Sequence, residues 1–172
     1  MKYLFYKFLS SIGYTVINKR KREKNISKKL EKYKIDRHKD LLYSSAAFIF
    51  ELEEVYSDLH ISENEEFLII KFAGLTFDIE SAEEFLILNE IFLEKEYNFI
   101  CNSPSVVIDI GANIGIASIF FSQKQKVKKI YSFEPVLDTY KIAEKNFRKN
   151  KRPSQRFEPT RLTEKGDAVQ AE

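Results

Sequence analysis

One stretch of the chain pairs an acid with two glycines inside an apolar run, SVVIDIGANIGIASIFF, residues Ser105 to Phe121. Asp109, Gly111 and Gly115 give the spacing D-x-G-x-x-x-G, with Asn113 between the glycines. The chain holds only five glycines, so two of them this close mark a backbone requirement. Asp109 ends a β-branched run, where a carboxylate can meet a positively charged or hydrogen-bonding ligand group. Gly111 can take positive φ where a strand turns sharply into a helix. Gly115, near the first helical turn, lets a ligand or a packed element come close to the backbone. A helix start also offers N–H groups and partial positive charge to a carboxylate or phosphate. Glu134 closes the next short apolar run, KIYSF, on the same sheet edge. A carboxylate there can accept hydrogen bonds from both hydroxyls of a ribose.

The spacing also excludes ligands. A dinucleotide's pyrophosphate needs the middle glycine of G-x-G-x-x-G, and here that position is Asn113, which argues against a nicotinamide-dependent oxidoreductase. No Gly-Lys-Ser/Thr follows, so there is no P-loop. A membrane-buried G-x-x-x-G pairing face is implausible with Asp109 and Asn113 in the segment. A nucleoside without a pyrophosphate fits better. S-adenosylmethionine is such a ligand, with a ribose for Glu134 and an amino-acid end for the glycine turn. The alternative for Asp109 and Glu134 is structural capping of strand ends.

These residues need elements to position them. SVVIDI is a continuous apolar run with almost no alternation, as expected of a strand covered by helices on both faces. Ile114, Ala117, Ser118 and Phe121 follow at helical spacing. KIYSF is a second short strand, and a helix resumes near Leu137 with Tyr140, Ala143 and Phe147 on one face. Lys145, Arg148 and Lys149 suit its negative end. The order strand–helix–strand–helix opens a parallel α/β sheet. Upstream, Phe67–Phe72 and Leu75–Ile79 flank Ala73-Gly74 as a hairpin. Ser81 and Glu84 form a capping box for a helix carrying Phe85, Leu88, Ile91 and Phe92. Leu42, Ala46, Ile49, Leu52, Tyr56 and Leu59 share a helical face.

VVIDIGANIGIASIFF, KIYSFEP and DTYKIAEKNFRKN together resemble the FkbM family of S-adenosylmethionine-dependent methyltransferases. The hairpin and helix ending in EYNF are also similar to that family's lead-in. The resemblance covers about Phe67 to Asn150, and more loosely the N-terminal helices. It implies an incomplete Rossmann-like methyltransferase sheet, preceded by N-terminal helices and a β-hairpin. It implies that Asp109, Gly111, Asn113 and Gly115 line the methionine end of the cofactor, that Glu134 holds the ribose, and that Phe133 and Pro135 lie beside the adenine. It further implies O-methylation of a sugar or small metabolite. Such members continue with further strands, one carrying an Asp-Val-Glu-Gly-like segment, and nothing after Asn150 matches that. The chain therefore reads as a truncated, cofactor-binding half, with no base assigned. The competing reading is a non-catalytic remnant or binding module.

Three segments follow: a helical extension over 1–60, the partial methyltransferase domain over 61–150, and an unstructured or foreign tail over 151–172. Net charge is +2 with a pI near 8.4, too balanced to indicate nucleic acid. The expected partner is a small-molecule or glycan acceptor. Cys101 is the single cysteine, which excludes an internal disulfide and fits a cytoplasmic, reducing location. No histidine pair has metal-ligand spacing, so no metal is expected. Leu4, Phe5, Phe8, Leu9 and Ile12 form an apolar helical stripe ahead of Lys19–Arg22. That segment is a candidate for weak contact with the inner membrane face, against the simpler reading of a helix docked on its own domain.

Overall fold

A computed structural model describes residues 11–13, 18–97, 102–150, 156–162 and 168–170, the last two stretches as backbone. The chain divides into two units, 1–34 and 35–172. The boundary therefore falls near Lys34, not near residue 60. The helices that follow Lys34 belong to the same unit as the sheets.

The first unit contains α1, Lys19–Leu30, capped by the Asn18 side chain, which accepts from the Lys21 amide at 3.1 Å. A 3₁₀ turn, Glu31–Tyr33, closes it. The apolar stripe at Leu4, Phe5, Phe8 and Leu9 lies outside the described residues.

In the second unit the helical face predicted over Leu41–Leu59 is split. It forms α2, Lys39–Ser44, and α3, Ala46–Val55, with the buried Ser45 between them. A three-stranded antiparallel sheet follows, in the order β1 (His60–Glu63), β2 (Leu68–Phe72) and β3 (Leu75–Ile79). The expected hairpin is β2–β3, turning at Ala73-Gly74, and β1 adds a third strand. Helix α4, Ala82–Phe92, carries the predicted capping box. Ser81 Oγ accepts from the Glu84 amide, and the Glu84 carboxylate accepts from the amides of Glu80 and Ser81.

The second sheet has the order β4 (Ser105–Ile110), β5 (Val127–Phe133), β6 (Arg156–Leu162) and β7 (Ala168–Gln170). β4, β5 and β6 are parallel, and β7 returns antiparallel. Helices α5 (Ile116–Ser122) and α6 (Leu137–Asn150) make the crossovers. The α/β class expected from sequence is thus observed as a βαβαβ unit. Two expectations are corrected. Residues 156–162 pair with β5 instead of forming an unstructured tail, because a strand joining an open parallel edge is held by main-chain bonds that need no apolar period. β4 is not covered on both faces. Val106, Ile108 and Ile110 are 59%, 65% and 80% exposed, while Val107 packs on the core of Phe121, Val127 and Ile130.

An aromatic chain fills the core between the sheets. Phe72 meets Phe92 edge-on at 5.1 Å between centroids, and Phe92 meets Phe120 at 5.4 Å. Such pairs add about 1 kcal/mol each beyond their burial. They tie the antiparallel sheet to the helix that follows the glycine turn.

The capping box has a titration consequence. Burial pushes the Glu84 carboxyl from the ordinary 4.5 up to about 7. The amides of Glu80 and Ser81 oppose the shift, and the charges of Glu80 and Glu83 add to it. The folded state then binds more protons than the unfolded state between those two values. Stability is therefore full below about pH 4.5 and falls as pH rises to about 7. The fall is at most about 3 kcal/mol, from roughly 1.4 kcal/mol per pKa unit. Glu84→Gln keeps the cap acceptor and removes the titration. Its thermal stability should exceed the parent's at pH 8 and match it near pH 5. Parallel pH profiles of the two proteins would refute the assignment.

Candidate functional site

The second sheet presents the carboxyl ends of β4 and β5 side by side, with Asp109 opposite Ser132 and Ile110 opposite Phe133. Ligands of open α/β sheets bind at such an edge. A cleft of about 210 Å³ opens there. Asp109, Gly111 and Asn113 form one wall, and Ile87, Glu90 and Tyr97 are on the facing side. Sequence reasoning named the first three residues and missed Glu90 and Ile87. The available signal was local: both lie one helical turn apart on α4, off its main apolar stripe. Tyr97 belongs to the EYNF segment noted in the sequence.

Gly111 has the predicted positive φ, and two further residues of the turn share it. Gly111, Asn113 and Gly115 have φ of 75°, 50° and 87°. At Gly111 an added Cβ would meet nothing within 4 Å, so its glycine serves the turn itself. At Gly115 an added Cβ would stand 2.5 Å from the Phe147 ring of α6. The close approach is therefore made by a packed helix and not by the cleft, which Gly115 does not line.

The amides of the turn point inward. Those of Gly111 and Ala112 both donate to the Phe133 carbonyl at 2.9 Å, and that of Gly115 donates to the Ala112 carbonyl at 2.8 Å. The Asn113 amide donates to Glu134 Oε2 at 2.9 Å, and the Val136 amide to Glu134 Oε1 at 2.9 Å. The expected supply of open amides at this helix start is thus largely used within the protein. The helix itself has only seven residues.

Glu134 is 7% exposed, and each of its oxygens holds an amide, so it clamps the β4 turn to the end of β5. It does not line the cleft, nor do Phe133 and the exposed Pro135. Asp109 does. Its Oδ2 accepts from Ser118 Oγ at 2.6 Å, and Ser118 shares a second 2.6 Å bond with Ser132 Oγ. Burial holds the Asp109 carboxyl above the ordinary carboxylate range, against the lowering by Ser118, and the Glu134 charge adds to the rise. Among the described residues, no cluster of three or more His, Cys, Asp or Glu side chains could hold a metal.

A βαβαβ unit with an acid-lined cleft at its carboxyl edge places the chain among the open-sheet α/β proteins. Over 74 residues the chain is 36% identical to methyltransferase sdnD of Sordaria araneosa, covering 42% of this chain and 28% of that enzyme. Among solved structures it is similar to TYW2 of M. jannaschii in complex with AdoMet, with a TM-score of 0.44 and 27% identity. That overlap covers 56% of this chain and 44% of TYW2. It is also similar to wild-type Trm5b from Pyrococcus abyssi, with a TM-score of 0.36 and 15% identity over 67% of this chain and 40% of that one. The chain thus spans under a third of the methyltransferase relative it matches and under half of either structure. No family model matches it.

Proposed function

We propose that this chain carries the cofactor-binding half of an S-adenosylmethionine-dependent methyltransferase, of the kind its FkbM resemblance implies. The acceptor is then a hydroxyl of a sugar or other small metabolite. The observation that carries the reading is Asp109, held at the carboxyl end of β4 with its side chain in the cleft. The similarity to a methyltransferase over the matched 74 residues supports the same reaction class.

The donor set suits the ligand's charge. Asp109 and Glu90 line the cleft and no lysine or arginine does, which favours an ammonium and a sulfonium over a phosphate. The cleft is smaller than the ~300–1,000 Å³ of a whole ligand site, so it takes the amino-acid end. Bound there, the cofactor supplies a methyl group for in-line transfer to an acceptor oxygen. Asp109 accepts from its ammonium group, and Ser118 fixes the carboxylate. Gly111 and Asn113 form the wall beside them. Glu134 would hold the ribose only through lone pairs left over by its two amides, with Phe133 and Pro135 beside the adenine.

Calorimetry on the full chain tests this. S-adenosylhomocysteine and S-adenosylmethionine should bind at least about tenfold more tightly than NAD. Asp109→Asn should weaken both by about tenfold, consistent with ~1.5–3 kcal/mol for a hydrogen bond to a charged group. Parental affinity should fall as pH is lowered through the raised Asp109 pKa, since the protonated acid no longer attracts the ammonium. Asp109→Asn should lack that dependence. Binding of NAD alone would overturn the proposal. A second reading, a binding module without turnover, is favoured by the uncovered β4 face, which leaves that side of the sheet without a described element to place an acceptor. Tight cofactor binding with no methylation of sugars or small alcohols would select it.

A further inference from the structure

Two hydroxyls stand where the core should be apolar. Ser118 lies on the inner side of α5 among Ile116, Ile119 and Phe121, and it is 0% exposed. Ser132 lies two positions after the buried Ile130 on β5, and it is 3% exposed. A buried hydroxyl costs free energy unless it is hydrogen-bonded. These two bond to each other at 2.6 Å, and Ser118 bonds to Asp109 Oδ2 at 2.6 Å. One side chain from each of β4, α5 and β5 thus joins a single chain of bonds that ends at the cleft.

The carboxylate fixes the direction of that chain. An ionised Asp has no proton to give, so Ser118 donates to Asp109. A hydroxyl carries one proton, so Ser132 donates to Ser118. Each donated bond polarises the next, which strengthens the one at the carboxylate. The other surroundings oppose a charge on Asp109. Burial penalises it, and Glu134 at the end of β5 repels it. The facing side of the cleft contributes Glu90 and Tyr97, and no Lys, Arg or His lines it. The contacts that favour the ion come from Ser118, through its hydroxyl and its amide.

We propose that Ser118 and Ser132 are positioning residues, a directed pair of hydroxyls that holds Asp109 as a carboxylate facing the cleft. Ser132 acts on it through Ser118. The pairing stands on side-chain geometry, and only its effect on S-adenosylmethionine rests on the function proposed above. The test is carbon-13 NMR titration of the Asp109 carboxyl in the full chain without cofactor, the signal being assigned by its loss in Asp109→Asn. Ser118→Ala should make Asp109 hold its proton about tenfold more tightly, and Ser132→Ala about threefold, since the first loses a bond to a charge and the second a neutral one. The double variant should match Ser118→Ala alone, because the bond from Ser132 ends on Ser118. Ser122→Ala removes an equally buried hydroxyl of α5, one that donates to the Ile119 carbonyl, and should leave the titration unchanged. In calorimetry, the pH below which S-adenosylhomocysteine binding is lost should rise in Ser132→Ala in step with the carboxyl. An unchanged titration in Ser132→Ala overturns the proposal, whether or not Ser118→Ala folds. Effects that multiply in the double variant also overturn it, as does a change in Ser122→Ala. The expected titrations with no cofactor binding would support the hydroxyl pair and overturn the cofactor reading instead.

Discussion

Alanine at position 115 is expected to destabilise the protein by about 4 kcal/mol, which is large for the addition of one methyl group. Two effects combine. The backbone at Gly115 has φ +87°, where an L side chain costs roughly 1–2 kcal/mol. The new Cβ also lands 2.5 Å from Phe147 Cε1 and 2.8 Å from Cζ. Phe147 is buried, so its ring cannot swing away without displacing neighbours, and overpacking of this kind costs about 1–3 kcal/mol. The two effects separate in a double-mutant cycle. In a Phe147→Leu background the clash is relieved and only the backbone cost should remain, leaving a coupling of about 2 kcal/mol between the positions. Urea denaturation of the four proteins checks this. Additive losses would mean that the Phe147 ring does not press on the turn. The cleft supplies a control, because Gly111→Ala meets no neighbour and should cost only the backbone term.

The contrast between the two glycines marks what one sequence can tell. That Gly111 takes positive φ follows from a strand–turn–helix reading, which makes Gly115 only a place of close approach, and both have positive φ. Whether a glycine faces a ligand or a helix depends on a ring 32 positions away, and no local spacing encodes that. The same limit explains Glu134. Its place at the end of β5 was legible, but its two amide partners come from Asn113 in another loop and from Val136. Those bonds turn it toward the scaffold. The Ser81–Glu84 capping box was legible because its partners are three residues apart and the signal is complete in four letters. β4 misled because an unbroken apolar run reads as covered on both faces. Its alternating burial is set by what packs on it, and that is not written in the strand. β6 could not be seen at all. A strand without apolar alternation is defined by the edge it joins.

Asn146 carries the second large effect, and here the sequence did hold a clue. Asn146 and Asn150 sit one turn apart on the buried side of α6, beside Ala143 and Phe147, where an amphipathic helix should be apolar. The structure gives the reason. Among the described residues the outer edge of β3 has no strand neighbour, and these two side chains take its place. Asn146 Oδ1 accepts from the Asp78 amide at 2.7 Å, while its Nδ2 donates to the Ile114 carbonyl at 3.0 Å and the Asp78 carbonyl at 3.4 Å. Asn150 repeats the pattern on Thr76, accepting from its amide at 2.8 Å and donating to its carbonyl at 2.6 Å. Lys149 pairs with the buried Asp78 carboxylate between them. Asn146 alone also reaches the glycine turn, through Ile114. Asn146→Ala should therefore cost about 4 kcal/mol, since a fully buried site (0% exposed) keeps unpaired backbone groups at about 1–3 kcal/mol each. Asn146→Asp should be worse, because it directs a second carboxylate at two carbonyls and beside Asp78. Asn150→Ala should cost less, about 1–2 kcal/mol, because Thr76 is half-buried and water can replace the lost bonds. Hydrogen exchange gives the sharper discrimination. In Asn146→Ala the amides of Asp78 and of the Asn113–Gly115 turn should lose protection together, whereas in Asn150→Ala only the β3 edge should. Loss at Asp78 with the turn unchanged would show that the helix holds the antiparallel sheet but not the glycine turn.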